Sequence, residues 1–164
     1  MAKILVVDDD QGIREFLEIM LKGEGYRVTT ASDAGKALNR CKKETFDLII
    51  TDLKMPRLSG LELMAALRKA GMVVPVILTT FYGSEQAAIQ AFRLGARDYI
   101  IKPYEVKEML ESVERALIER RLLRETTDLK EGAQITRHLE ERVRQLHSLC
   151  NIGRALAGIH STDE

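Results

Sequence analysis

Apolar runs closed by polar or turn-forming residues punctuate the first two-thirds of the chain. Lys3-Ile4-Leu5-Val6-Val7 stops at Asp8, Asp9 and Asp10. Phe46-Asp47-Leu48-Ile49-Ile50-Thr51 stops at Asp52, with Pro56 and Gly60 beyond it. Pro75-Val76-Ile77-Leu78-Thr79-Thr80 and Asp98-Tyr99-Ile100-Ile101 read the same way, the second closed by Lys102-Pro103. Continuous apolar runs of this length, bounded by turn signals, predict buried strands of a parallel sheet. Tyr26-Arg27-Val28-Thr29-Thr30 alternates instead, which predicts a half-buried strand at or near a sheet edge.

Helical periodicity fills the gaps. Ile13, Phe16, Leu17, Met20 and Leu21 fall at i, i+3, i+4, i+7 and i+8, and Gly23 and Gly25 follow. Ser32 or Asp33 caps a second helix running to about Lys43. Ser59-Gly60 opens a third, with Leu61, Met64, Ala65 and Leu67 on one face. Ser84 starts a fourth, with a small-residue stripe through Ala87, Ala88 and Ala91, and a last helix begins near Glu105. Strand then helix, repeated, predicts parallel strands joined by right-handed crossovers. The first 120 or so residues thus read as a doubly wound α/β domain with helices on both faces.

In such a sheet all strand ends point one way, and ligands bind just past the carboxyl ends. Those ends carry Asp8, Asp9 and Asp10, then Asp52, then Thr79 and Thr80, then Lys102. Carboxylates flanked by a hydroxyl and an ammonium suit a hard divalent cation and a phosphoryl group. Mg²⁺ takes oxygen ligands, Lys102 supplies a second positive charge, and one carboxylate is left as a nucleophile.

Composition narrows the partners. Lys+Arg and Asp+Glu are both 25, so no bulk basic charge points to direct nucleic-acid binding by this segment. No apolar run reaches bilayer-spanning length. Met1-Ala2-Lys3 leads straight into a strand without a signal-peptide pattern. Cys41 and Cys150 are far apart and lack metal-ligand spacing, which suits a reduced, cytoplasmic protein.

Several motifs in one order resemble the two-component response-regulator receiver domain over about residues 1–120. They are Val7-Asp8-Asp9-Asp10, Asp52-Leu53-Lys54-Met55-Pro56 with Ser59-Gly60, Leu78-Thr79-Thr80, Gly95-Ala96-Arg97-Asp98-Tyr99 and Lys102-Pro103. The resemblance implies a flavodoxin-like, five-stranded sheet of order 2-1-3-4-5. It implies Asp52 as phosphoacceptor, and Asp9, Asp52 and the Lys54 backbone carbonyl as Mg²⁺ ligands, with Asp8 acting through a water. Lys102 would pair with the phosphoryl group, ahead of a cis bond to Pro103. The family's switch hydroxyl lies 22 positions before the lysine, which selects Thr80, and Tyr99 matches its switch aromatic. The implied donor is a sensor histidine kinase or phosphotransfer protein, and the implied assembly a homodimer through the receiver face or the C-terminal helix. Such a protein is a switch rather than an enzyme, limited to self-phosphotransfer and slow self-dephosphorylation. One departure is Phe81, where the family usually has a small residue; a ring there would narrow the approach to Asp52.

Two other readings compete. Val6-Val7-Asp8-Asp9-Asp10 loosely fits the start of a haloacid-dehalogenase-like phosphatase, with Asp8 as nucleophile and Asp10 as acid. A non-phosphorylated dimerisation adaptor, its pocket closed by Phe81, is the other. Asp10 alone reads more simply as the cap of the first helix.

The final third changes character. Val106, Met109, Leu110, Val113, Ala116 and Leu117 continue one helical face. Leu122, Thr126, Leu129, Ala133 and Thr136 step by four and three, and Leu139, Val143, Leu146 and Cys150 take up the pattern after a slip. Residues 121–150 therefore read as a helical or coiled-coil linker, one helix or two, with Thr126–Gly132 as the place for a break. Residues 151–164 form a tail that resembles the truncated start of a GAF-type domain. His138, His147 and His160 read as members of a solvated helical face.

Overall fold

The computed structural model describes residues 1–159, with side chains as far as residue 144. Its strands are β1 (Lys3–Val7), β2 (Arg27–Ala31), β3 (Leu48–Asp52), β4 (Val76–Thr80) and β5 (Asp98–Ile101). Its helices are α1 (Gln11–Gly23), α2 (Ala34–Lys43), α3 (Gly60–Lys69), α4 (Glu85–Arg93) and α5 (Val106–Ile159). The strands are all parallel, in the order β2-β1-β3-β4-β5. This is the doubly wound architecture that the run pattern predicts, and β2 lies at an edge. Its strand starts at Arg27 rather than Tyr26, because the Tyr26 N–H closes the end of α1 on the Leu21 carbonyl.

Alternation along the strands divides the core. Ile4, Val6, Leu48, Ile50 and Ile77 pack with Leu17 and Leu21 of α1 and Met109, Val113 and Ala116 of α5. Leu5, Val7, Ile49 and Leu78 face the other way, onto Ala37 of α2, Leu63 and Leu67 of α3, and Ala91 of α4. The inner strands β3 and β4 are buried at every position, as a sheet covered on both faces requires.

Side-chain caps start the helices. Asp10 accepts from the Ile13 N–H, Asp33 (not Ser32) from Lys36, and Ser84 from Ala87. Ser59 and Glu62 form a capping box at α3. Two backbone features mark the β3–α3 connection. Arg57 has φ 73°, a left-handed conformation that costs a non-glycine residue energy. Gly60 packs so tightly that a Cβ there would meet the Asp52 carbonyl oxygen at 2.5 Å and Leu78 Cδ2 at 2.7 Å.

The chain divides into two units, Met1–Arg121 and Leu122–Glu164. α5 is one unbroken helix through Thr126–Gly132, the first of the two alternatives that the sequence leaves open. The threonines that weaken the pattern are accommodated: Thr126, Thr127 and Thr136 donate their hydroxyls to the carbonyls of Leu122, Leu123 and Gly132, at 2.8, 2.9 and 3.0 Å. Leu122, Leu129, Leu139 and Val143 are exposed along it. The side chains of Leu146, His147 and Cys150, and the whole resemblance to a GAF entry helix, lie outside the residues whose side chains are described.

Candidate functional site

Parallel pairing brings the ends of β1, β3, β4 and β5 to one edge of the sheet. Asp8 follows β1, Asp52 ends β3, Thr80 ends β4 and Lys102 follows β5. Asp8, Asp52 and Lys102 are 2%, 8% and 6% exposed, so their charges must be satisfied by one another or by a ligand. The Lys102 ammonium donates to Asp8 Oδ2 at 2.9 Å and to Asp52 Oδ1 at 3.2 Å. Asp9 is exposed, and one carboxylate oxygen from each of Asp8, Asp9 and Asp52 lies within 4.8 Å of the others. Asp8 Oδ1 also accepts the Asp10 N–H at 2.9 Å. The Lys102–Pro103 peptide is cis.

Three carboxylates face one ammonium, an excess of two negative charges. Loss of water on burial pushes the Asp52 carboxyl above its ordinary pKa; Lys102 opposes this, while Asp8 and Asp9 add to it. An all-oxygen donor set with that imbalance fits a hard divalent cation such as Mg²⁺. Asp52 thus belongs to a carboxylate cluster that favours a cation and, beside Lys102, a phosphoryl oxygen.

The remaining expected residues lie close by. Thr80 is buried, and its Oγ1 accepts the Tyr82 N–H at 3.1 Å. Thr79 turns to the backbone instead, donating to the Thr51 carbonyl. Tyr99 pairs with Leu78 across β4–β5; its phenol oxygen is buried and has no hydrogen-bond partner among the described residues. Phe81 is 58% exposed, with its ring centroid 5.0 Å from Lys102 Nζ, so it flanks the pocket rather than filling it. Lys54 follows β3 in the loop, and its Nζ lies 4.5 Å from the Tyr82 ring centroid. Asp10 is engaged as the α1 cap, which removes it from the role of a second catalytic acid beside Asp8. His138 is exposed on α5.

Three neighbours escaped sequence reasoning. Arg14 donates to the Asp8 carbonyl at 2.7 Å, a contact signalled only by a cation in the first turn of α1. Tyr104, two residues past Lys102, has its phenol pushed up to about 12 by burial and by the charges of Asp8 and Asp52. Tyr82 covers the Lys54 side chain, which was noted only for its carbonyl.

Residues 4–114 match the family model described as the response regulator receiver domain. The chain belongs to this family. The receiver domain is 35% identical over 119 residues to the transcriptional regulatory protein ZraR of Klebsiella oxytoca, covering 73% of this chain and 27% of that protein. It is 38% identical over 114 residues to the response regulator protein FleR of Pseudomonas aeruginosa, covering 70% of this chain and 24% of that one. The chain therefore spans about a quarter of the length of these curated relatives. Among solved structures, a response regulator receiver domain protein from Clostridium thermocellum superposes with a TM-score of 0.71 at 33% identity, covering 75% of this chain and 99% of that one. Receiver domains are phosphoacceptor switches, generally not classed as enzymes; they bind Mg²⁺ in an acidic pocket and are phosphorylated by histidine kinases. No helix among the described residues is long and apolar enough to cross a membrane.

Proposed function

We propose that this receiver accepts a phosphoryl group on Asp52 from a sensor histidine kinase or a phosphotransfer protein, in a Mg²⁺-dependent reaction in the cytoplasm. The observation that carries the reading is the Lys102 ammonium held between Asp8 and Asp52. The donor's phosphorus–nitrogen bond breaks, its electron pair returns to the imidazole, and an Asp52 carboxylate oxygen forms the new bond to phosphorus. Asp9, Asp52 and the Lys54 carbonyl would hold Mg²⁺, with Asp8 acting through a water. When bound, the ion neutralises phosphoryl oxygens during transfer. Lys102 shifts from Asp52 to a phosphoryl oxygen. The Thr80 hydroxyl keeps its own proton while accepting from Tyr82, so it is free to donate to the same group.

Recruitment of Thr80 moves the β4–α4 loop and gives Tyr99 a reason to repack. The change reaches the surface of α4, β5 and α5, where a second copy would dock, and it is relayed along α5. The exposed leucines of α5 supply a second self-association surface. The phosphatase reading is not favoured, because Asp10 is spent on helix capping and Asp8 on Lys102. The adaptor reading is not favoured, because Phe81 is exposed beside Lys102 rather than buried among the site carboxylates.

The test is incubation with acetyl phosphate and Mg²⁺, read by intact mass. The wild type gains one phosphoryl group and Asp52→Asn gains none; equal gain in both rejects the assignment, as does no gain in either.

A further inference from the structure

The carboxyl end of β2 opens into a second concavity, between the start of α1 and the outer face of α2. Its volume is about 570 Å³, within the range of small-ligand sites. Four cations line it: Arg14 from α1, and Lys36, Arg40 and Lys43 from α2. Lys36, Arg40 and Lys43 stand at i, i+4 and i+7, one face of the helix, spanning roughly 10 Å. Ser32 and Asn39 add a hydroxyl and an amide.

Among the described residues no carboxylate lines the cleft. Lys36 donates to the Ser32 hydroxyl at 2.8 Å and lies 3.9 Å from Asp33, Arg40 lies 3.7 Å from Glu44, and Arg14 donates to the Asp8 carbonyl. Lys43 makes no hydrogen bond or ion pair among the described residues. The cleft is therefore concave, polar and cationic, while the chain as a whole has a formal net charge of zero. Local concentration of one sign of charge in a recess focuses a field on anions. Guanidinium and ammonium groups set several ångströms apart match more than one phosphoryl group.

We propose that this cleft binds a small anion carrying two linked phosphoryl groups, free or attached to a nucleoside. The site is separate from phosphoryl transfer at Asp52 and does not depend on it. Arg14 joins the two regions, since it lines the cleft and holds the backbone of Asp8.

The test is an amide and guanidinium NMR titration of the full chain with sodium pyrophosphate, at constant ionic strength, with EDTA and without a phosphodonor. The expected result is saturable shifts confined to Arg14 and residues 30–43, half-complete below about 1 mM. Adenosine shifts nothing. ADP binding more tightly than pyrophosphate identifies a nucleotide ligand, and equal binding identifies the inorganic group. The Lys36→Gln/Arg40→Gln double variant weakens binding at least about tenfold, a loss of two charge-assisted contacts. Should that variant lose its amide dispersion, Lys43→Gln, which gives up no internal partner, is read instead and weakens binding about threefold. Shifts that stay linear with concentration, spread over unrelated surface lysines, centre on Lys102, or persist undiminished in the variant overturn the proposal.

Discussion

Neutralising Asp52 should stabilise the fold. The residue is 8% exposed, so its charge has lost most of its water. At an effective dielectric of about 20, a carboxylate 4.8 Å away repels it by roughly 3.5 kcal/mol, and the Lys102 ammonium at 3.2 Å attracts it by roughly 5 kcal/mol. Repulsion from Asp8 and Asp9 against a single attraction leaves no net Coulomb gain, and the lost hydration adds to the cost. That is why the carboxyl is raised above its unfolded value, with burial as the leading cause. An asparagine keeps the shape and an acceptor for Lys102, while Lys102 keeps Asp8. Asp52→Asn should therefore gain about 1–2 kcal/mol at pH 7 without metal, as replaced buried charges often do. In melting temperature this is about 3–6 °C.

The pH dependence follows from linkage. A carboxyl with a raised folded pKa binds its proton more tightly when folded, so ionised Asp52 costs stability as pH rises above about 4. The advantage of the asparagine variant is full above the raised folded pKa, fades as pH falls through it, and is gone below about 4. Mg²⁺ should reverse the comparison, because a ligand bound only by the folded state stabilises it, by about 2.7 kcal/mol at a hundredfold excess over Kd, and the variant lacks one of the three clustered carboxylates. The assay is urea unfolding at several pH values, with EDTA and with Mg²⁺, followed by circular dichroism; the chain has no tryptophan to report by fluorescence. An asparagine variant less stable than wild type at pH 7 in EDTA, or a difference independent of pH, would refute the reasoning.

Other expectations concern the ground around the site. Gly60→Ala forces a Cβ into the Asp52 carbonyl and Leu78, and should cost about 2–3 kcal/mol in urea melts and slow phosphorylation. Arg57→Gly relieves a left-handed residue and should gain about 0.5–1 kcal/mol, with no change in phosphorylation rate. Lys102→Met leaves two buried carboxylates without their cation; it should cost about 3–5 kcal/mol at pH 7, and Mg²⁺ should recover part of that.

Much of this was legible before any coordinates. Strand runs ending in Asp8, Asp52, Thr80 and Lys102 give the sheet and the edge where the site sits, because parallel strands leave no choice of end. Gly60 could be read as a helix start, but its contact with Asp52 could not, since close approach between segments leaves no local signal. Arg14 and Tyr104 were missed for a related reason: each meets the site through tertiary packing rather than through spacing along the chain. The continuity of α5 stayed open between one helix and two because weak core positions look like a break, whereas threonine hydroxyls bonded back to the helix let it run on. The cleft beside α2 has no signal in the sequence, because its second wall, the end of β2 and Arg14, is supplied by tertiary packing.

The most direct measurement is chemical mapping of the acyl phosphate. The receiver is phosphorylated with acetyl phosphate and Mg²⁺, reduced with borohydride, and digested for peptide sequencing. Reduction converts a phosphorylated aspartate to homoserine. The account predicts homoserine at position 52 and nowhere else; homoserine at position 8 or 9, or none at all, contradicts it.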